Sequence, residues 1–457
     1  MILDFLFTLN TLETILLISL FLCCIYQLYK SYLHKNWYEL FKPINIYALL
    51  TLFYCVVGPI LSSGQGDGTI MYRAIDHREY YQIGLLASLI SFLSFQLGFD
   101  YKNNFLIKDF GINKTYKKEV EKKTYLFLYK WGERLFILTM FAQFIVFGIG
   151  LINQIRFIGN FNFSQNFVIY KGGFTLVFVY TINFLVVSIL LMFISILNGV
   201  KEKFKFVFYL SITISIFLTY SFRWRFFVLF FPLLLIYYFY KKTKPKIIYL
   251  LSTLLAILFF FGFVQITRTY GRGLSLETYE RTTRNSDDSF INKVIKASFF
   301  DSNVFNTSAG MLYHTPSKYN YIGFTPLTNT LLLPIPRKIW PNKPSGDYMQ
   351  EIYKIIYPGK LWEVGSASLG FAEYYISGGW IALITLNFFL GYLYKRLWIW
   401  FFYNFYDPIV QINYALYLSF LFVIYSRGYF LQITFIYITL FLPIIWLTYI
   451  WNKRLSS

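Results

Sequence analysis

This sequence predicts an all-α polytopic membrane protein with about eleven transmembrane helices and one large loop on the outer side. Three observations carry that prediction. The 457 residues are 57% hydrophobic and only 14% charged, far below the roughly 25% charged residues of a soluble chain. Apolar runs of about 18 to 24 residues, the length that crosses a bilayer, recur along the chain. The cations gather in alternate connections between those runs. A soluble enzyme, a secreted disulfide scaffold and a disordered tail are excluded. The net charge of +20 sits in loops between apolar runs, so it does not indicate nucleic acid as a partner. Cys23, Cys24 and Cys55 all lie in apolar runs, and His34, His77 and His314 are scattered. Neither a disulfide framework nor a zinc cluster is expected from them. No cleavable signal peptide is expected, since Met1–Asn10 carries Asp4 and no cation.

The spans are expected near 11–29, 44–63, 81–99, 134–152, 174–197, 206–222, 226–240, 247–266, 373–394, 409–426 and 429–450. The sixth and seventh form one apolar run broken only at Ser221-Phe222-Arg223-Trp224-Arg225. That run is too long for one crossing of about 30 Å and suits a tight hairpin. One set of loops holds Lys30, Lys35 and Lys42, the basic cluster from Lys102 to Arg134, Lys201 to Lys205, Lys241 to Lys246, Lys395, Arg396, Lys453 and Arg454. The opposite short loops hold far fewer cations, and the richer set faces the cytoplasm. The N-terminus and the segment from about 267 to 372 therefore lie outside, and the C-terminus inside. The chain divides into an N-terminal bundle (1–266), the outer loop (267–372) and C-terminal helices (373–457).

The two sides also differ in the kind of cation. Inner-side cations are nearly all Lys. Arg dominates outside, with Arg73, Arg78, Arg156, Arg223, Arg225, Arg268, Arg272, Arg281, Arg284, Arg337 and Arg427. A planar guanidinium fork matches phosphate and carboxylate oxygens, which a Lys point charge does not. Pairing with Asp or Glu, or snorkelling to headgroups, would use the same residues.

The outer loop is long enough to hold structure of its own. Phe290, Ile291, Val294, Ile295 and Phe299 recur at helical spacing. The apolar piece from Gly323 to Leu333 is too short to span and is bounded by Pro326 and Pro334, which predicts a re-entrant or docked segment. The string Pro334-Ile335-Pro336-Arg337-Lys338-Ile339-Trp340-Pro341-Asn342-Lys343-Pro344 is held extended by its prolines. Glu373 stands at the outer mouth of the ninth span. A carboxylate there is costly unless paired or functional. An Arg-paired anchor and a general base are the two readings.

At these residues the chain resembles the oligosaccharide repeat-unit polymerases of the Wzy type, the O-antigen polymerases. The likeness rests on Pro336-Arg337-Lys338-Ile339-Trp340-Pro341-Asn342-Lys343-Pro344 and on Gly370-Phe371-Ala372-Glu373-Tyr374-Tyr375 followed by Gly378-Gly379. Weaker fragments are Ser221-Phe222-Arg223-Trp224-Arg225 and Ser91-Phe92-Leu93-Ser94-Phe95-Gln96-Leu97-Gly98-Phe99. The resemblance implies a GT-C-like membrane glycosyltransferase architecture with a periplasmic catalytic loop, in the bacterial inner membrane. It implies a reaction joining repeat units carried on a polyprenyl diphosphate. The partners implied are the lipid-linked donor and acceptor, the bilayer, and a chain-length regulator and a flippase.

That chemistry requires cations on the departing diphosphate. The candidates are Arg223, Arg225, Arg268, Arg337 and Arg427, with Lys343 assisting. It also requires a base for the acceptor hydroxyl, for which the candidates are Glu373, His314 and Asp301. Asp287-Asp288, Asp67 and Asp76 form no Asp-X-Asp pattern in the first outer loop, so no metal or other cofactor is expected. A lipid-linked oligosaccharide flippase or secondary transporter is the alternative from another class, but no internal repeat is visible and polar residues gather at the outer ends of spans. An O-antigen ligase and a peptidoglycan-type polymerase are the nearer alternatives.

Overall fold

The computed structural model describes residues 9–62, 64–66, 69–72, 75–101, 122–148, 180–220, 223–270, 294, 297–332, 335, 339–340, 342, 348–358 and 367–456. Seven helices are long and apolar enough to cross a membrane: Thr11–Leu33, Pro43–Leu61, Arg78–Asp100, Trp224–Lys241, Gly370–Tyr403, Pro408–Ser426 and Phe430–Trp451. By helix length and hydropathy the chain is a multi-pass membrane protein. The other four expected spans fall on α5 (Lys122–Phe147), α6 (Phe184–Leu197), α7 (Lys203–Tyr220) and α9 (Ile247–Tyr270). Helix α5 starts twelve residues before its expected span because it runs on through Lys122, Lys123, Lys130 and Glu133, which an apolar window discards. The expected hairpin divides where the sequence places it, with α7 ending at Tyr220 and α8 (Arg223–Lys241) following.

The described residues fall into two compact units. The first draws on 1–110, 299–400 and 421–434. It opens with α1 (Thr11–Leu33), started by a capping box between Asn10 and Glu13. This helix is inside-out by soluble standards. Leu12, Ile15, Leu22, Tyr26 and Leu33 are exposed, while Glu13, Gln27 and Ser31 are buried. Lipid makes that the stable arrangement, since only the protein side offers polar partners. Asn45 Oδ1 accepts from Gln27 Nε2 at 3.0 Å and from Ser31 Oγ at 2.9 Å. Asn45 lies on α2 (Pro43–Thr51), which a π-helical turn over Leu52–Val57 joins to α3 (Gly58–Ser62). A three-stranded antiparallel sheet follows, β1 (Gly64–Gly66), β2 (Thr69–Tyr72) and β3 (Ile75–Asp76). Apart from this sheet, the regular elements among the described residues are all helices. Sequence periodicity passed over the sheet, although Asp67-Gly68 between β1 and β2 is the dipeptide signal of a two-residue hairpin.

Helix α4 (Tyr81–Asp100) packs on α13 (Gly370–Tyr403) through reciprocal glycines. A Cβ on Gly98 would lie 1.9 Å from the Phe388 carbonyl oxygen, and one on Gly391 would lie 2.1 Å from that of Phe95. Backbone approach at small residues is how helices associate where lipid removes the hydrophobic drive. We expect Gly98→Ala to cost about 1–3 kcal/mol through forced separation, read as a lowered unfolding midpoint in detergent. An unchanged midpoint would refute the contact.

Between these helices in sequence lie α10 (Val304–His314), α11 (Thr325–Leu332) and α12 (Tyr348–Ile356). Of the helix expected around 290–299, most residues lie outside those described. Helix α13 is broken near its start: Gly378 is extended and Gly379 takes φ 66°, ψ −152°, a conformation that favours glycine.

The second unit comprises 111–298, 401–420 and 435–457. Its α5 and α6 meet at Gly132, where Ser188 Oγ donates to the Gly132 carbonyl at 2.8 Å. Helix α14 (Pro408–Ser426) is capped by Asp407, whose Oδ1 accepts from Ile409 N at 2.8 Å while Oδ2 accepts from Trp451 Nε1 at 3.3 Å. Trp451 belongs to α15 (Phe430–Ser456).

Candidate functional site

The site is built on the short first piece of α13, from Gly370 to Ser377. Its start is fastened on two sides within the first unit. Leu369 N donates to Ser308 Oγ of α10 at 2.7 Å. Gly428 N donates to the Ser368 carbonyl at 2.7 Å, and Ser368 Oγ returns a bond to the Gly428 carbonyl at 3.1 Å. Both approaches need glycine: a Cβ on Gly370 would meet the Ile424 carbonyl oxygen at 2.5 Å, and one on Gly428 the Leu369 carbonyl oxygen at 2.5 Å. The far end is fastened as well. The break at Gly378–Gly379 leaves carbonyls that the helix itself does not use, and Ile322 N and Gly323 N donate to those of Ile376 and Ser377 at 2.9 and 3.1 Å.

Glu373 lies in the first turn of this piece and is 3% exposed. Its Oε1 accepts from the Tyr348 hydroxyl and, at 2.9 Å, from Phe430 N. Oε2 takes part in neither bond. Phe430 opens α15, so two helix N-termini meet at this carboxylate, a placement that stabilises negative charge. Burial, and next the Glu373 carboxylate beside it, push the Tyr348 hydroxyl well above the usual phenol range. Tyr348 therefore stays a donor at all working pH values. Arg427, half-buried, sits in the turn that ends at Phe430; its N–H donates to the Val423 carbonyl at 3.0 Å and its carbonyl accepts from Tyr429 N at 2.7 Å. The backbone contacts thus bring the Glu373 piece and the Arg427 turn together. Arginine does not hold the carboxylate directly in the bonds observed; a tyrosine and a helix N-terminus do.

The other expected bases lie elsewhere in the first unit. His314 ends α10, is buried, and shares a 3.3 Å hydrogen bond between Nε2 and the Tyr80 hydroxyl. Burial, and next Lys318, lower its pKa, with Glu79 opposing. Asp301, half-buried, is in the 3-10 turn before α10. Neither is among the groups bonded to Glu373. Arg225 is in the second unit. It is 3% exposed, its Nε donates to Asn183 Oδ1 at 3.4 Å, and its guanidinium lies 5.1 Å from the Trp224 ring centre. Asn183 in turn donates to Thr439 Oγ1 at 2.8 Å. A buried, oriented cation in a span is the kind of residue that marks a functional position. Arg223 and Arg268 lie on the backbones of α8 and α9, with side chains outside the described residues. Arg337 and Lys343 lie outside them altogether. Among the described residues no group of three or more His, Cys, Asp or Glu is placed to hold a metal ion.

Sequence reasoning missed Tyr348, the α15 N-terminus and His77. Tyr348 begins an amphipathic helix that buries Met349, Ile352, Tyr353 and Ile356 with it. That 3.6-residue pattern was available as a signal, and a buried tyrosine hydroxyl calls for a partner. His77 is fully buried among Tyr72, Tyr80 and Tyr357, with ring centres at 6.0, 5.5 and 5.7 Å. Burial pushes its pKa down to about 4. The unfolded chain then binds a proton near pH 6.5 that the folded protein refuses. Stability from this group is full above pH 6.5 and declines as pH falls toward 4. We expect a loss of about 2 kcal/mol between pH 6.5 and 5, seen in unfolding midpoints and lessened in His77→Asn. Equal slopes in both proteins would exclude it.

Scans against protein-family models, curated proteins and solved structures found no match to this chain.

Proposed function

We propose that the protein is a membrane glycosyltransferase that joins polyprenyl-diphosphate-linked oligosaccharide units into a surface polysaccharide such as O-antigen, capsule or exopolysaccharide. In this reading eleven spans cross the bacterial inner membrane in a GT-C-like arrangement. The N-terminus and the 267–372 loop are periplasmic and the C-terminus is cytoplasmic. The observation that carries the reading is Glu373: a buried carboxylate at the mouth of a span, with one oxygen fixed by two donors and the other not engaged by them.

Glu373 takes the proton from the acceptor sugar hydroxyl as that oxygen bonds to the anomeric carbon of the donor. The bond from that carbon to the lipid diphosphate breaks, and its electron pair leaves with the diphosphate. Arginine forks stabilise the charge on the departing phosphate, a role assigned to Arg223, Arg225, Arg268, Arg337 and Arg427, with Lys343 assisting. The proton on Glu373 then passes to solvent, and the enzyme is restored.

Deletion of the gene in its host tests this. We expect loss of long polymer and accumulation of lipid-linked single units on the periplasmic face. Accumulation on the cytoplasmic face would indicate a carrier instead. Reporter fusions should place residues near 118 inside and residues near 310 outside, and the reverse would overturn the topology.

A further inference from the structure

The segment Tyr321–Leu332 carries its apolar side chains on the wrong face for a loop in water. Phe324, Leu327 and Leu331 are 81%, 46% and 68% exposed. Their spacing puts them on one face of α11. The opposite face buries Pro326 and Asn329. As on α1, large apolar side chains turn outward here while a polar one, Asn329, turns inward. Farther along the chain Ile339 and Trp340 are also exposed, at 77% and 40%.

The segment is also pinned at a definite level. Ile322 N and Gly323 N donate to the carbonyls of Ile376 and Ser377, and the Tyr321 hydroxyl lies 3.0 Å from where a Gly379 Cβ would stand. From the break at Gly378–Gly379 to Lys395 and Arg396, the cations in the far part of α13, the helix runs about 25 Å at 1.5 Å per residue. That length is close to the hydrocarbon thickness of about 30 Å. The attachment point is therefore at the far edge of the hydrocarbon. On the hydrocarbon side of that point Ile381 of α13 is 77% exposed, as a lipid-facing residue would be.

From these placements we infer that Phe324, just before α11, and Leu327 and Leu331 of α11 insert into the outer leaflet among lipid acyl chains, as an interfacial helix strapped to the break in α13. Asn329 and Pro326 face the protein. The strap joins a lipid-embedded helix to the piece that carries Glu373. The inference needs that α13 crosses a bilayer with its start on the outer side, as in the proposed topology, and failure of the proposed reaction would leave it standing.

The test uses the full chain in nanodiscs of phosphatidylcholine and phosphatidylglycerol, which contain no isoprenoid. Single cysteines replace Phe324, Leu327 or Leu331, and Lys318, which is exposed, serves as the aqueous control. A membrane-impermeant maleimide is applied, and reaction at each added cysteine is read by peptide mass spectrometry, so the native cysteines do not interfere. We expect rates at the three apolar positions at least tenfold below that of Lys318→Cys. A bimane on Leu331→Cys should be quenched by lipid brominated near the carbonyl. Rates within twofold of the control would overturn the inference. So would slow rates without lipid quenching, which would mean that protein covers the face. Quenching that added undecaprenyl phosphate abolishes would also overturn it, by assigning the face to a substrate tail.

Discussion

Glu373→Gln is expected to lower polymer formation by about 10²–10⁴-fold, the usual contribution of a positioned base, while leaving the fold intact. The expectation follows from the two bonds on Oε1. A glutamine carbonyl accepts from Tyr348 and Phe430 N as the carboxylate does, so the fastening of α13 to α12 and α15 survives. What disappears is the second oxygen and the capacity to take a proton. Glu373→Ala separates the roles. It strips both donors of their acceptor in a buried place and should cost about 1–3 kcal/mol of stability in addition to activity. A glutamine variant with wild-type turnover would remove Glu373 as the base and leave it a structural staple.

Glu13→Ala is expected to be the most damaging of the stability changes. Glu13 Oε1 pairs with Arg78 Nη1 at 2.5 Å, and the two side chains are 2% and 22% exposed. The same carboxylate completes the α1 cap, with Oε2 accepting from Asn10 N at 2.9 Å. Taking the counter-charge from this half-buried guanidinium costs at most the roughly 3–5 kcal/mol of a fully buried pair. Glu13→Gln should keep much of the cap and lose the charge. Combining Glu13→Ala with Arg78→Met should recover part of the loss, because no half-buried guanidinium then faces the vacated place. Unfolding midpoints in detergent measure all three. If the double variant is as damaged as the sum of its parts, the pair is not coupled.

Seven of the eleven expected spans are matched by helices long and apolar enough to cross, and they were legible because lipid imposes length. A run such as 408–426 has one physical solution, and the sequence predicts it within a residue or two. Side-chain facing was less legible, since α1 and α11 are apolar outside and polar within, opposite to soluble patterning. The Gly378–Gly379 pair stood in plain view, yet its meaning depends on Ile322 and Gly323, which no local pattern connects to it. Glu373 was visible as a costly carboxylate. Its partners were not, because Tyr348 and Phe430 are 25 and 57 residues away and the expected partner was an arginine. His314 illustrates the converse. Its residue type suited a base, but folding pairs it with Tyr80, a relation invisible before the chain is packed.

The most direct test of the central claim is to incubate the purified protein in lipid with a synthetic polyprenyl-diphosphate oligosaccharide. We expect a ladder of products longer by whole repeat units, with free lipid diphosphate released in equal amount. Donor that remains intact under conditions where the protein is folded and binds it would contradict the claim.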